Sequence, residues 1–133
     1  MVCYTVAYAF APQIEELLDG IFNKEDGLDW QGSDDNVAMT RVLRFTSQIW
    51  RVHPFREGNT RTCATYAVLY LRSLGVPVTN EPFAQDSVFF RDALVLDYAP
   101  SRLRDREPLL RFGAALLGES VELGSLRKQG CQG

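Results

Sequence analysis

"HPFREGNTRT", residues 53–62, is the stretch on which the reading of the chain turns. It holds the only histidine, a carboxylate at Glu57, a Gly58–Asn59 pair suited to a tight turn, and Arg61. Pro54 stops a helix arriving from the N-terminal side, because proline disfavours helical backbone in the residue before it. The upstream sequence has the pattern of such a helix. Val42, Phe45, Ile49 and Val52 recur at helical spacing, with Leu43 and Trp50 widening the stripe. Asp34 or Asp35 can cap it, which predicts a helix over about 36–51. Downstream, Ala64, Ala67, Val68 and Leu71 repeat the spacing until Gly75 and Pro77 end it. The motif therefore joins two helices, the second starting near Gly58 to Thr60.

The flanks extend this pattern. "VCYTVAYAF", residues 2–10, is rich in β-branched and aromatic residues, and residues 2–9 read as a short strand or extended segment. Pro12 opens a helix whose stripe is Ile14, Leu17, Leu18, Ile21 and Phe22. "NKEDGLDWQGSDDN" (23–36) and "VPVTNEPFAQD" (76–86) read as loops. Helices are predicted over Ser87 to Asp97 and over Glu107 to Leu117, the latter turning Leu109, Leu110, Gly113, Leu116 and Leu117 inward. Residues 118–133 read as a polar, frayed tail. The expected fold class is all-α, one domain over residues 1–133 with a short extended piece in 1–12.

Composition narrows the function classes. The chain has 133 residues, 46% of them hydrophobic and 23% charged, enough for one core. Its formal charge of −3, from 14 Lys+Arg against 17 Asp+Glu, argues against a nucleic-acid partner. No apolar run approaches the roughly 20 residues that cross a bilayer, so no membrane partner is expected. Cys3, Cys63 and Cys131 are three in number, far apart and without metal-ligand spacing. They read as structural or surface thiols in a reducing, cytoplasmic setting.

The motif has a chemistry of its own. The first turn of a helix presents unpaired N–H groups and the positive end of its dipole, an anion site suited to phosphate. Arg61, on that turn, can grip a further phosphate. Glu57 repels phosphate unless a cation lies between them, and Mg²⁺ is commonly held by one or two carboxylates plus substrate phosphates. His53 can take a proton from a hydroxyl as that oxygen attacks phosphorus. Taken singly, each residue has an ordinary reading: a helix cap, a turn, a surface ion pair worth a few tenths of a kcal/mol. Together they point to phosphoryl or nucleotidyl transfer.

The stretch resembles the signature of the Fic family, H-x-F-x-[Asp/Glu]-G-N-[Gly/Lys]-R-x-x-R, through His53, Phe55, Glu57, Gly58, Asn59 and Arg61. The run "FFRDAL" (89–94) and the helices flanking the motif extend the likeness. The resemblance implies a Fic-type helical core and transfer of a nucleotide monophosphate, usually AMP from ATP, to a Tyr, Ser or Thr hydroxyl of a protein substrate. It implies His53 as base and Glu57 as holder of Mg²⁺. Asn59 and the backbone of Gly58, Thr60 and Arg61 would lie on the α-phosphate, with Arg61 on the leaving pyrophosphate. Phe55 would anchor the loop in the core. A family flap that aligns the target by strand addition would fall at Thr5, Val6 and Ala7.

Two positions depart from the pattern. Ala64 stands where the last arginine belongs, and Thr60 where Gly or Lys does. The Doc branch, which resembles Fic but phosphorylates its target, also lacks that arginine, yet carries the lysine. The readings left open are a Doc-like kinase, a transferase using another nucleotide donor, and a catalytically silent module that binds nucleotide or partner. The family's inhibitory motif, with its Glu followed by Gly or Asn, has no counterpart besides Glu57 itself. Either the protein is a minimal form or regulation lies outside this chain, with a separate inhibitor or antitoxin protein as a possible partner, and a homo-oligomer stays open.

Overall fold

A computed structural model of the chain describes residues 8–27, 34–99, 102–124 and 126. The described residues are helical wherever they are regular, and none forms a strand. They group in two compact units, one spanning Ala7–Pro77 and one beginning at Val78.

In the first unit a single 3-10 turn, Ala11–Gln13, leads into α1 (Ile14–Asp26), followed by α2 (Asp35–Val52) and α3 (Asn59–Ser73). Asp34 caps α2: its backbone is extended and its Oδ1 accepts from the Val37 N–H at 2.8 Å. The expected stripe faces the core, with Val42, Leu43, Phe45, Trp50 and Val52 buried and Ile49 half-buried. Burying each such side chain contributes about 1.5–3 kcal/mol. Thr46 shares that core and satisfies its hydroxyl by donating to the Val42 carbonyl at 2.6 Å. Ala67, Val68 and Leu71 of α3 are buried as well. The helix ends in a Schellman turn, with Val76 N–H on the Leu71 carbonyl and Gly75 N–H on that of Arg72. Gly75 supplies the φ of +83° which that closure needs.

The second unit holds α4 (Glu81–Gln85), α5 (Ser87–Asp97) and α6 (Glu107–Leu116). Its core is aromatic, with Phe83, Phe90 and Phe112 at centroid separations of 4.9–5.0 Å. The buried Asp97 takes the Arg106 Nε at 3.2 Å.

Five expectations change. Residues 23–26, read as loop, continue α1, because Lys and Glu hold helical backbone readily once an apolar stripe has started it. Residues 81–85, also read as loop, form α4, with Pro82 at the start of a helix where its missing N–H costs nothing. Leu110 points outward and is 48% exposed; Phe112 takes the inward place. No residue of α1 is buried: Leu17 and Phe22 are exposed, and Ile14, Leu18 and Ile21 are half-buried. Tyr8–Phe10 is irregular rather than strand, and the rest of that predicted segment lies outside the described residues.

Candidate active site

Building the site begins with how α2 stops. His53 closes the helix in left-handed backbone, φ 57° and ψ 57°, the single non-glycine with positive φ among the described residues. Its N–H still bonds the carbonyls of Ile49 and Trp50. The same carbonyl of Trp50 lies 3.0 Å from the His53 Nδ1. A carbonyl only accepts, so Nδ1 carries the hydrogen and the neutral ring keeps its lone pair on Nε2. One face of the imidazole stacks on Tyr8, with centroids 3.8 Å apart and planes at 29°. The Trp50 ring meets it edge-on at 5.6 Å.

The connection from Pro54 to Glu57 ends at Gly58, whose φ of +78° starts α3. The Arg61 guanidinium folds back over the helix start, its Nη2 lying 3.1 Å from where a Cβ on Gly58 would be. No side chain caps α3, and its first internal bond runs from Thr62 N–H to the Gly58 carbonyl. The amides of Asn59, Thr60 and Arg61 therefore precede the ladder, beside a guanidinium.

Asn59 is buried and closes the loop on itself. Its Oδ1 accepts from the Phe55 N–H at 3.0 Å, and its Nδ2 donates to the Phe55 carbonyl at 2.7 Å. The Asn59 side chain therefore holds the loop, which leaves its second Nδ2 hydrogen and its backbone N–H for an anion. One expectation changes. Phe55 does not reach the core: its ring is 52% exposed, and the loop is anchored through its backbone. Thr60 accepts a 3.0 Å hydrogen bond from the buried Trp50 indole, tying α2 to the first turn of α3. Glu57 is exposed and makes no hydrogen bond or ion pair among the described residues. Thr5, Val6 and Ala7, the expected flap, lie outside the described residues.

A cavity of about 440 Å³ adjoins the motif, walled by Leu18, Phe22, Ile49, Phe55, Cys63 and Tyr66. Ile14, Leu18 and Phe22 of α1 face this space instead of a filled core, which leaves them short of full burial. Cys63 is buried, and loss of hydration pushes its thiol from 9.0 to about 12. Burial, then the charges of Glu25 and Asp26, also raise Tyr66. Above pH 9 the unfolded thiol ionises and the folded one does not, so the unfolded chain binds fewer protons and stability falls as pH climbs from 9 towards 12. Urea midpoints are expected to drop between pH 8 and pH 10.5, and to drop less in Cys63→Ala.

Among the described residues no three His, Cys, Asp or Glu side chains cluster as a protein-built metal cage. No helix among them is long and apolar enough to cross a membrane. A model of the Fic/DOC family matches residues 4–71, just over half of the chain and the whole of the motif. Comparison with curated proteins and with solved structures finds no match.

Proposed function

Because the chain belongs to the Fic/DOC family, we propose that it is a Mg²⁺-dependent protein adenylyltransferase, moving AMP from ATP to a hydroxyl side chain of a target protein. One observation carries the reading. The His53 Nδ1 is held by the Trp50 carbonyl, which leaves Nε2 as the basic nitrogen, and a single short connection separates that ring from the uncapped start of α3. A base and an anion site on neighbouring helix ends are what nucleophilic attack at phosphorus needs.

In this reading Nε2 accepts the proton of the target hydroxyl as its oxygen bonds to the α-phosphorus, and the bond from that phosphorus to the pyrophosphate oxygen breaks. The amides of Asn59, Thr60 and Arg61 receive the charge that grows on the non-bridging oxygens. The Arg61 guanidinium faces the departing pyrophosphate. Glu57 would hold Mg²⁺. Its exposed, unengaged carboxylate fits an ion that takes one protein carboxylate and completes its shell with phosphate oxygens and water, and no larger cage is required. Bound there, the ion would supply neutralisation of phosphate charge. The target is a protein presenting Tyr, Ser or Thr.

The test uses labelled ATP and a cell lysate. Label from the α position, and none from the γ position, is expected on a protein. Arg61→Ala is expected to cut transfer at least tenfold, since a bidentate guanidinium on a developing charge is worth more than a point contact. Its melting temperature should change little, because an exposed arginine on the first turn of a helix contributes little stability. Label from γ alone would establish a kinase. Nucleotide binding by calorimetry with no transfer to any protein would leave a silent binding module.

A further inference from the structure

We propose that Tyr8 is a positioning residue for the His53 imidazole: its ring fixes the plane of that imidazole and so keeps Nε2 as the basic nitrogen. The inference rests on the adenylyltransferase reading for its consequence in turnover, and on geometry for everything else.

Three contacts define the imidazole. The Nδ1 bond to Trp50 fixes one edge, the indole of Trp50 meets it edge-on, and Tyr8 covers one face at 3.8 Å. The first two come from the preceding turn of the same helix and resist a swing about the Cβ–Cγ bond from one edge only. Tyr8 lies in the segment before α1, forty-five positions away in sequence, and blocks that swing from outside. It also meets Trp50 edge-on at 5.6 Å, so one ring braces both the base and the residue that orients it. The left-handed backbone of His53 makes such bracing necessary, because a residue held off its preferred conformation persists only where its surroundings over-determine it. Tyr8 is 41% exposed, so packing of the core does not account for its placement.

Neither the motif nor its spacing includes this residue. Tyr8 acts on the base through its ring stack, so its effect should appear in kcat and not in KM for ATP. A swing of the imidazole by about 1 Å can cost on the order of 100-fold in rate.

The experiment reads the ring and the reaction separately. The chain has one histidine, so long-range ¹⁵N–¹H spectra at about pH 8, above the usual imidazole range, report the His53 tautomer without assignment. Wild type and Tyr8→Phe are expected to show a single Nδ1–H tautomer. Tyr8→Ala is expected to show a mixture, with the ring protons moved downfield as the stacked ring current is lost. In the transfer assay Tyr8→Ala should lower kcat by about 10-fold to 100-fold, with KM for ATP within about twofold, and Tyr8→Phe should restore it. An unchanged tautomer and unchanged ring shifts in Tyr8→Ala would overturn the proposal, as would a Tyr8→Phe variant as impaired as the alanine. If wild type transfers no label, the adenylyltransferase reading falls, and the tautomer spectra still decide the role of Tyr8.

Discussion

Replacing His53 by alanine or by glycine is expected to lower label transfer by about 10²–10⁴-fold, the usual contribution of a positioned general base. Of the two, glycine should give the more stable protein. In helices the usual order is the reverse, alanine exceeding glycine by about 1 kcal/mol. At position 53 the backbone is left-handed, with φ 57°. That conformation costs an L-residue about 1–2 kcal/mol and glycine nothing. Against this stands glycine's greater freedom in the unfolded chain, about 0.4–1 kcal/mol. Both variants lose the Tyr8 stack and the Nδ1 bond equally, so these cancel. The difference should favour glycine by roughly 0.5–1 kcal/mol, read from paired urea unfolding curves. If alanine proves the more stable, position 53 is not held in left-handed geometry in solution. If transfer survives in either variant, another group takes the proton.

The second large effect is expected at Asn59. Asn59→Ala removes both partners of the Phe55 peptide, its N–H and its carbonyl. Leaving such groups unpaired costs about 1–3 kcal/mol, and the connection that sets the start of α3 loses its closure. Transfer per folded molecule should fall with it. Asn59→Asp separates the two consequences. Its carboxylate can still accept from the Phe55 N–H and sits favourably in the first turn of a helix, worth about 0.3–1 kcal/mol. Its second oxygen, however, faces the Phe55 carbonyl and brings a negative charge to the proposed phosphate site. The aspartate variant should thus be more stable than the alanine one and no more active. Unfolding curves together with transfer rates normalised to folded protein check both statements. An alanine variant of wild-type stability would show that the loop closes by other means.

The helices were legible wherever a stripe of apolar residues met a cap or a stop. Asp34 with Val42–Val52 placed α2, and Gly75 with Pro77 ended α3, because spacing and turn chemistry are local properties that tertiary structure here does not override. The N-terminal stripe misled about burial, because periodicity reports which face is apolar and not whether anything fills the space opposite. Ile14, Leu18 and Phe22 face a cavity. Leu110 turns outward while Phe112 is buried, since two apolar residues two positions apart on a helix cannot both face the core.

Within the motif the residue set was readable and its division of labour was not. A signature gives types at positions; it does not say whether an amide binds a ligand or its own loop. Asn59 could be resolved only by seeing the Phe55 peptide within reach. The Trp50–Thr60 bond and the Tyr8 stack join residues whose sequence neighbours give no hint of them. Aromatics near a histidine are too common in sequences to single one out.

The tie between Trp50 and Thr60 spans ten positions and a short connection, and it has a bearing on how the chain becomes a protein at all. Closing so small a loop forfeits little entropy, so α2 and α3, which pack on one another, can dock among the earliest events after synthesis. The residues that would later handle phosphorus are then the hinge pin of that early helical hairpin. One short connection would thus serve both the docking of two helices and the chemistry proposed for it.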